Sequence, residues 1–512
     1  MKDFPFLSIL TLLPLVGAVV VAFIPRSKGG LAKTVALAWS LVVLVLSIVM
    51  WVAFQVGGDR FQFRESYQWI PTWDARFTFA ADGIALVMLV LIAVLVPLVI
   101  LASWNDIDET KRSVPTYFAL LLTLECTMIG VFAAADVFLF YVFFEVMLVP
   151  MYFIIGSYGG QRRQYAAVKF FLYSLVGGLF MLAAVIGLWV VGGHTFDWAN
   201  LKDASAAFET NTARWLFLGF FIAFAVKAPF FPFHTWLPDA GGAAPAPAAA
   251  LLVGVLDKVG TFGILRYCLP LFPEASRWFA PAALVLGVIG IIYAALLAVG
   301  QNDLKRLVSY TSIAHFGFIG IGIFAFTTQA GTGSVLYMVN HGLATGLLFL
   351  VVGMFVARRG SALVSDFGGA GKLVPVLAGV LFFAGLASLA LPGTAPFVSE
   401  FLVLIGTFAT HKVYAVIATA GIILAAAYVL WMFQRTTQGT LNPALNDVPA
   451  MHKDITLREK LVVAPLVLLL LLLGFYPKPV TDVINPAVQA TMQDVGKTDP
   501  APTAVANGKV AR

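Results

Sequence analysis

The chain has 512 residues, of which 60% are hydrophobic and 11% are charged, and its mean hydropathy is +0.93. Soluble domains carry roughly 25% charged residues, so this composition excludes a soluble globular protein and indicates a polytopic membrane protein. The net charge of +6 does not indicate nucleic-acid binding, because the Lys and Arg residues lie in short loops without a patch of interleaved aromatic residues.

Apolar segments of about membrane-spanning length recur along the whole chain. The alternation typical of β-barrel strands is absent, so helices are the only spanning structure we predict. We predict an all-α polytopic membrane protein with fourteen spans, at residues 4–24, 33–54, 81–103, 114–134, 137–158, 165–191, 213–232, 246–268, 279–299, 306–326, 333–356, 373–404, 409–433 and 458–475.

Three further features of the sequence allow simple predictions. The first segment, Phe4–Ile24, has no clear cleavage site and is predicted to be a retained helix. Cys126 and Cys268 fall inside spans and are predicted to be buried apolar residues. The chain after Gly496 is small and polar and is predicted to be disordered.

Basic residues are unevenly distributed between the two sets of loops. Because the side richer in Lys and Arg is cytoplasmic and the span count is even, both termini are expected outside the cytoplasm. Of the 32 basic residues, 17 lie on the predicted cytoplasmic side: Arg26, Lys28, Lys33, Lys111, Arg112, Arg162, Arg163, Lys169, Lys305, Arg306, Arg358, Arg359, Lys372, Arg435, Lys453, Arg458 and Lys460.

Two proline-interrupted spans echo each other. Ala228-Pro229-Phe230 recurs as Ala395-Pro396-Phe397, and the offset contains five helices. Paired interrupted helices in two halves are typical of transporters with internal repeats, and an odd number of helices per repeat makes the repeats inverted. We therefore predict four regions: N-terminal helices at 1–113, five-helix repeats at 114–268 and 279–433, and a last helix with a tail at 434–512.

Ionisable residues lie near the middle of several spans. Each would cost roughly 2.5–3.5 kcal/mol if it faced lipid, so they are expected to face one another or a hydrated interior. They are Glu125, Glu145, Lys227, Asp257, Lys258, His315, His341 and Glu400.

Glu145 and Lys227 are predicted to form a separable pair that exchanges protons. The alternatives are a structural salt bridge for Glu145 and a lysine that extends to the membrane interface for Lys227. Pro229 and Pro232 are expected to break the helix beside Lys227. Such breaks are tolerated at membrane depth only where they line a cavity or are buried in protein.

The remaining polar residues suggest a relay. Lys258 is a candidate central relay, whereas Asp257 is not expected to pair with it, because adjacent helical side chains point about 100° apart. His315 and His341 are candidates for proton relay, with satisfied core histidines and haem ligands as alternatives. Glu400 occupies in the second half the place of Lys227 in the first, and Glu125 is a further candidate carboxylate.

Five strings together resemble one known family. It is the antiporter-like, proton-translocating family that includes subunit M (chain 4) of NADH:quinone oxidoreductase, respiratory complex I. The resemblance covers about residues 80–435 and rests on "FYVFFEVMLVPMYFIIGSYGG", "VKAPFFPFHTWLPDA", "GVLDKVGTFGILRY", "NDLKRLVSYTSIAHFGF" and "LPGTAPFVSEF".

The resemblance implies fourteen helices in two inverted five-helix repeats, with spans 7 and 12 discontinuous. It implies that Glu145 modulates Lys227, that Lys258 is the central relay, that His315 and His341 are polar relay positions, and that Glu400 is the span-12 acid. Two features depart from the family pattern. The segment Gly241–Pro247 lacks the usual polar groups, which puts the cytoplasmic access path in doubt, and Asp257 replaces an aliphatic residue.

The function expected from this resemblance is proton translocation coupled to NADH oxidation and quinone reduction on other subunits, with no cofactor or metal on this chain. Its expected partners are neighbouring antiporter-like subunits and other membrane-arm subunits of complex I, in a lipid bilayer, with the bacterial plasma membrane as location. The alternatives are a subunit of a multi-subunit Na+/H+ antiporter or of a membrane-bound hydrogenase-type complex, a haem- or quinone-binding subunit, and a structural spacer.

Overall fold

The computed structural model describes residues 4–500 and consists mainly of helices. Its two strands form one antiparallel hairpin, β1 at Gln62–Ile70 and β2 at Ala75–Ala81. The helices are α1 Phe6–Ala22, α2 Gly29–Ala53, α3 Gly83–Ala102, α4 Val114–Ala133, α5 Val137–Val146, α6 Leu148–Tyr158, α7 Arg163–Val191, α8 Trp198–Ala204, α9 Thr210–Lys227, α10 Trp236–Ala243, α11 Ala246–Leu251, α12 Lys258–Gly263, α13 Leu269–Leu271, α14 Pro273–Val299, α15 Leu304–Phe324, α16 Thr328–Arg359, α17 Pro375–Ser388, α18 Ala395–Thr410, α19 Lys412–Thr437, α20 Leu457–Phe475 and α21 Lys478–Asp494.

Each of the fourteen predicted spans coincides with a helix or with a group of consecutive helices. Within the described residues, ten continuous helical segments are long and apolar enough to cross a membrane by themselves. One of these, Ala246–Leu271, combines α11, α12 and α13 with two π-helical segments between them. Most of the predicted boundaries agree to within three residues, because capping residues and prolines mark the ends of the apolar runs.

Spans 7 and 12 are discontinuous, as predicted. The seventh stops at Lys227 and resumes as α10, and the twelfth stops at Ser388 and resumes as α18. Pro229 lies in the first interruption and Pro392 in the second, and a proline, which has no N–H, cannot continue the helix there. Both breaks therefore occur at corresponding places in the two five-helix repeats.

The connections place alternate loops on opposite faces of the bundle. On one face, called the basic face, Lys33 at the start of α2 lies 2.8 Å from Glu109, and Gly160 N–H donates to Ala243 O over 2.8 Å. On the other, called the hairpin face, Leu7 N–H donates to Glu65 of β1 over 2.8 Å. Both ends of the described chain lie on the hairpin face.

Two elements on the hairpin face, the β-hairpin and α21, were not predicted from the sequence. The hairpin occupies residues that were predicted only as a connection, and α21 follows α20 after a bend of 68°. Arg60, just before β1, holds Asp494 at the end of α21 by an ion pair of 2.6 Å. The predicted disordered tail lies almost wholly in residues 501–512, which are outside the described chain.

Candidate functional site

The break in span 7 presents Lys227 to the interior of the first repeat. Lys227 is the last residue of α9 and is 1% exposed. Its ammonium lies over the rings of Phe144 and Phe170, at 5.2 and 5.6 Å from their centroids. Trp236 Nε1 donates to Val226 O over 2.8 Å and holds the two parts of the broken span together. Within the described residues, the Lys227 ammonium has no hydrogen-bond partner.

Glu145, on α5, follows Phe144, whose ring contacts the Lys227 ammonium, and packs against α7. Its carboxylate lies against Gly178, where an added Cβ would meet Glu145 Oε1 at 1.5 Å. Only glycine leaves room for the carboxylate at this place in α7. Among residues 4–500, Glu145 Oε1 accepts no hydrogen bond, and the structure shows Glu145 and Lys227 close in the fold but not joined as an ion pair.

Polar residues that were not predicted as site residues lie between Lys227 and the basic face. Asp239 of α10 accepts from Lys169 of α7 over 2.7 Å and also from Arg306 of α15. Tyr173 and Thr235 share a hydrogen bond of 2.7 Å one turn deeper. A cavity of about 610 Å³ opens beside them, with Asp239 and Arg306 in its wall. Gly242 also lines this cavity, so the segment that departs from the family pattern leaves open space here.

Lys258 lies at the centre of the bundle and is wholly buried. Its ammonium lies 3.0 Å from Asp257 and 2.7 Å from His341 Nδ1, and it also donates to Val253 O. The prediction that Asp257 would not pair with Lys258 is therefore wrong. The helix widens to π geometry immediately before Asp257, and the long lysine side chain folds back to bridge the distance between adjacent positions.

Close approach of two helices brings His341 to Lys258. Gly254 and Gly342 face each other, and a Cβ on Gly342 would lie 2.7 Å from Gly254 O. Small residues at such crossings let membrane helices approach at backbone distance. The consequence is direct contact between Lys258 in span 8 and His341 of α16.

The second repeat continues this arrangement toward Glu400. His315 of α15 lies beside His341, with the ring centroids 5.4 Å apart. His315 Nδ1 and Tyr337 Oη are 2.6 Å apart, and Tyr337 donates to Glu400 Oε2 over 2.8 Å. Tyr337 precedes His341 by one helical turn on α16, so both point to the same side. Tyr337 was not predicted as a site residue, since a tyrosine in an apolar span reads as an ordinary core aromatic.

Glu125 stands apart from these groups. It lies on α4 and is fully buried. In the part of the chain that the structure describes, neither carboxylate oxygen has a hydrogen-bond partner. The structure thus brings Lys258, His341, His315 and Glu400 into one set, places Lys227 and Glu145 in a neighbouring set, and leaves Glu125 alone.

Comparison with known proteins identifies a family and close relatives over nearly the whole chain. A family model described as "NADH:quinone oxidoreductase/Mrp antiporter, TM" matches residues 134–425. The chain is 46% identical to NADH-quinone oxidoreductase subunit M of Mycobacterium tuberculosis (strain CDC 1551 / Oshkosh), over 98% of this chain and 97% of the relative. It is 39% identical to the protein of the same name from Rhodobacter capsulatus, over 95% of this chain and 96% of the relative.

Solved structures share the fold over nearly the whole chain. A chain of respiratory complex I from Thermus thermophilus with bound NADH matches with a TM-score of 0.86 and 30% identity, over 96% of this chain and 100% of that chain. A chain of an archaeal membrane-bound sulfane sulfur reductase matches with a TM-score of 0.83 and 23% identity, over 94% of this chain and 77% of that chain. A chain of the Mrp complex from Dietzia sp. DQ12-45-1b matches with a TM-score of 0.82 and 21% identity, over 96% of this chain and 100% of that chain. At these last two identities, the likeness shows the fold alone.

Proposed function

Because this chain belongs to the family of NADH:quinone oxidoreductase subunit M, we propose that its buried polar side chains carry protons across the membrane. The chain is an antiporter-like membrane subunit of complex I, and its partners are the other membrane-arm subunits. What remains to be assigned is which of its residues move protons and in what order.

The observation that carries the proposal is the row of contacting polar groups inside the bundle. Asp257, Lys258 and His341 are joined by hydrogen bonds of 3.0 Å or less. His315 lies next in the row, and Glu400 ends it. Burying this many ionisable groups is costly in a membrane protein, and such groups mark ion pathways.

In the first repeat, we propose that Lys227 takes up a proton from the basic face and passes it toward Lys258. The cavity beside Asp239 and the hydrogen-bonded pair Tyr173–Thr235 support access from that face. A Cβ on Gly260 would meet Ala228 N at 2.6 Å, so span 8 touches the chain immediately after Lys227. Glu145 controls the step, since its charge stabilises the Lys227 ammonium when the two approach.

From Lys258, at the end of the first repeat, the proton passes into the second repeat through His341. Asp257 stabilises the charged form of Lys258, and the ring of Phe316, 5.1 Å from the ammonium, adds a cation–π contact. Release of the proton to His341 is therefore expected when the charge on a neighbouring group changes. Glu400 receives the proton and passes it toward the hairpin face, and Glu125 serves as a further proton-exchanging carboxylate.

We further propose that the basic face is cytoplasmic, that both termini lie outside the cytoplasm, and that the membrane is a bacterial plasma membrane. The excess of Lys and Arg on the basic face supports this orientation. NADH oxidation and quinone reduction take place on other subunits, and this chain holds no cofactor. A visible spectrum of the purified chain tests the last point, because a haem between His315 and His341 would absorb strongly.

The proposal is tested with the intact enzyme reconstituted in liposomes, where proton uptake and NADH oxidation are measured together. Lys227→Ala is expected to abolish proton uptake by this subunit and to leave NADH oxidation with a soluble acceptor unchanged. Lys33→Ala is the matched control, because Lys33 is also buried but pairs with Glu109 at the basic face. Wild-type proton uptake per NADH in Lys227→Ala refutes the proposal. Uptake that requires a sodium gradient favours the antiporter alternative.

A further inference from the structure

The hydroxyl of Tyr337 is the sole hydrogen-bonded connection, within the described residues, between His315 and Glu400. It lies 2.6 Å from His315 Nδ1 and 2.8 Å from Glu400 Oε2. Tyr337 is fully buried, and Glu400 is 4% exposed. Any proton that passes from His315 to Glu400 through this contact therefore moves by way of the Tyr337 oxygen.

One hydroxyl has one hydrogen, and this fixes the directions of the two bonds. Tyr337 donates its hydrogen to Glu400, so its oxygen can only accept from His315. A neutral His315 must then carry its hydrogen on Nδ1 and keep a lone pair on Nε2. His315 Nε2 is buried, and no hydrogen-bond partner for it lies among residues 4–500.

The neighbouring histidine has the opposite arrangement. An ammonium group has only donors, so the charged Lys258 donates to His341 Nδ1. A neutral His341 must then carry its hydrogen on Nε2, which is also buried and without a partner in the described chain. The two adjacent rings thus present a donor nitrogen, on His341, and an acceptor nitrogen, on His315.

We propose that the Tyr337 hydroxyl carries protons from His315 to Glu400 and that Glu400, through this hydroxyl, decides whether His315 can accept the next one. This inference rests on the proposed function. In the transfer step, a proton arrives at His315 Nε2, the Nδ1 hydrogen passes to the Tyr337 oxygen, and the Tyr337 hydrogen passes to the Glu400 carboxylate. One proton has entered at Nε2 and one has been added to Glu400, while His315 and Tyr337 end neutral.

After this step, the hydrogen bonds run the other way. Protonated Glu400 donates to the Tyr337 oxygen, and Tyr337 donates to His315 Nδ1. His315 now holds its hydrogen on Nε2, and its one lone pair, on Nδ1, accepts from Tyr337, so Nε2 cannot receive another proton. The relay is closed until Glu400 releases its proton and the His315 ring returns to its first tautomer, so each release admits one proton.

Tyr337→Phe tests the inference because it removes only the hydroxyl. In reconstituted intact enzyme, we expect proton uptake by way of this subunit to fall at least about tenfold, with NADH oxidation by a soluble acceptor unchanged. Tyr267→Phe is the matched control. Tyr267 is equally buried, but its hydroxyl donates to Ala134 O over 3.3 Å and not to any residue of the relay. Wild-type uptake in Tyr337→Phe overturns the inference.

A second measurement separates proton transfer from a merely structural role and applies even where Tyr337→Phe fails to assemble. Incorporation of 3,5-difluorotyrosine at position 337 keeps the ring and the hydroxyl but makes the hydroxyl more acidic. The pH dependence of proton uptake is expected to shift to lower pH, whereas the same analogue at position 267 leaves it unchanged. An unshifted profile at position 337 overturns the inference.

The proposed function is tested separately by Glu400→Gln in the same enzyme. Loss of uptake in Glu400→Gln together with normal uptake in Tyr337→Phe refutes the role of Tyr337 alone. Normal uptake in both variants refutes the proposed function of this half as well.

Discussion

Gly178 offers a way to move the Glu145 carboxylate without changing any charge. The Cβ of Gly178→Ala would lie 1.5 Å from Glu145 Oε1 and 2.6 Å from Cδ. Non-bonded heavy atoms approach to about 3.5 Å, so the carboxylate must move by about 2 Å. The atoms that must move belong to the end of a flexible side chain, and the helix backbone can stay in place.

The expected effects on stability and on function differ in size. Alanine is favoured over glycine inside a helix by about 0.5–1 kcal/mol, which offsets an off-rotamer cost of similar size at Glu145. The net change in the free energy of unfolding is therefore expected to stay below about 1 kcal/mol. When Glu145 and Lys227 approach each other to about 4 Å, as proposed above, a displacement of about 2 Å changes their Coulomb energy by about 1.4 kcal/mol at an effective dielectric constant of about 20. That is about a tenfold change in the proton equilibrium of Lys227.

The two quantities are measured on one preparation, with the thermal midpoint for stability and proton uptake per NADH in liposomes for function. Gly187→Ala is the matched control on the same helix, since its Cβ would meet only the end of the Leu216 side chain, at 2.7 Å. Both variants should keep their thermal midpoints, and only Gly178→Ala should lose uptake. If Gly178→Ala pumps like the control, the position of the Glu145 carboxylate does not govern this step and the reasoning is wrong.

Three further predictions concern stability. Lys258→Met leaves the buried Asp257 carboxylate unpaired and should lower the free energy of unfolding by about 3–5 kcal/mol. The double variant Lys258→Met with Asp257→Leu should recover most of this lost stability. A double variant that is no more stable than Lys258→Met would contradict the prediction. Gly260→Ala places a Cβ 2.4 Å from Phe224 O, a backbone atom that cannot yield, so its thermal midpoint should fall by the equivalent of about 1–3 kcal/mol. The thermal midpoint of Gly300→Ala should not change, because its Cβ would meet only Leu297 O at an ordinary contact distance of 3.8 Å. Burial raises the pKa of Asp136, in the turn before α5, to about 7 although backbone N–H groups of Leu139 and Arg76 oppose the shift. The folded chain therefore keeps a proton on Asp136 that the unfolded chain loses above pH about 4. The stability that this group contributes is present in acid and is lost as the pH rises toward 7. Between about pH 5 and 8, the thermal midpoint of Asp136→Asn should therefore decline less than that of the wild type.

Most of the helical architecture is predictable from the sequence because each span carries its own signal. Apolar length identifies the membrane segments, Pro229 and Pro392 lie in the two breaks, and Pro396 lies at the start of the helix after the second break. The hairpin and α21 carry no comparable signal. β1 contains Arg64 and Glu65 as well as aromatic residues, and α21 is amphipathic and contains an internal proline, Pro486. Both are held by tertiary contacts such as Arg60–Asp494, which local sequence does not encode.

The sequence predicted which residue types form the site but not all of the contacts between them. Charged residues inside apolar spans are conspicuous, and so Lys227, Lys258 and Glu400 could be selected by residue type alone. The ideal helix period failed at Asp257, because the π-helical segment before it changes the side-chain directions. Tyr337 could not be selected, since its role depends on lying between His315 and Glu400, which belong to different helices.

The charge difference between the two broken helices has a physical reason in their geometry. Lys227 is the last residue of α9, whereas Glu400 lies in the second turn of α18. A helix end with free carbonyl groups favours a cation, and a helix start with free N–H groups favours an anion. The two breaks therefore stabilise opposite charges, the more strongly at Lys227, because the effect falls off within one turn. A lysine before the break in one repeat and a glutamate after it in the other are thus each matched to the half-helix that holds them, and a simple exchange of the two residues would oppose both dipoles.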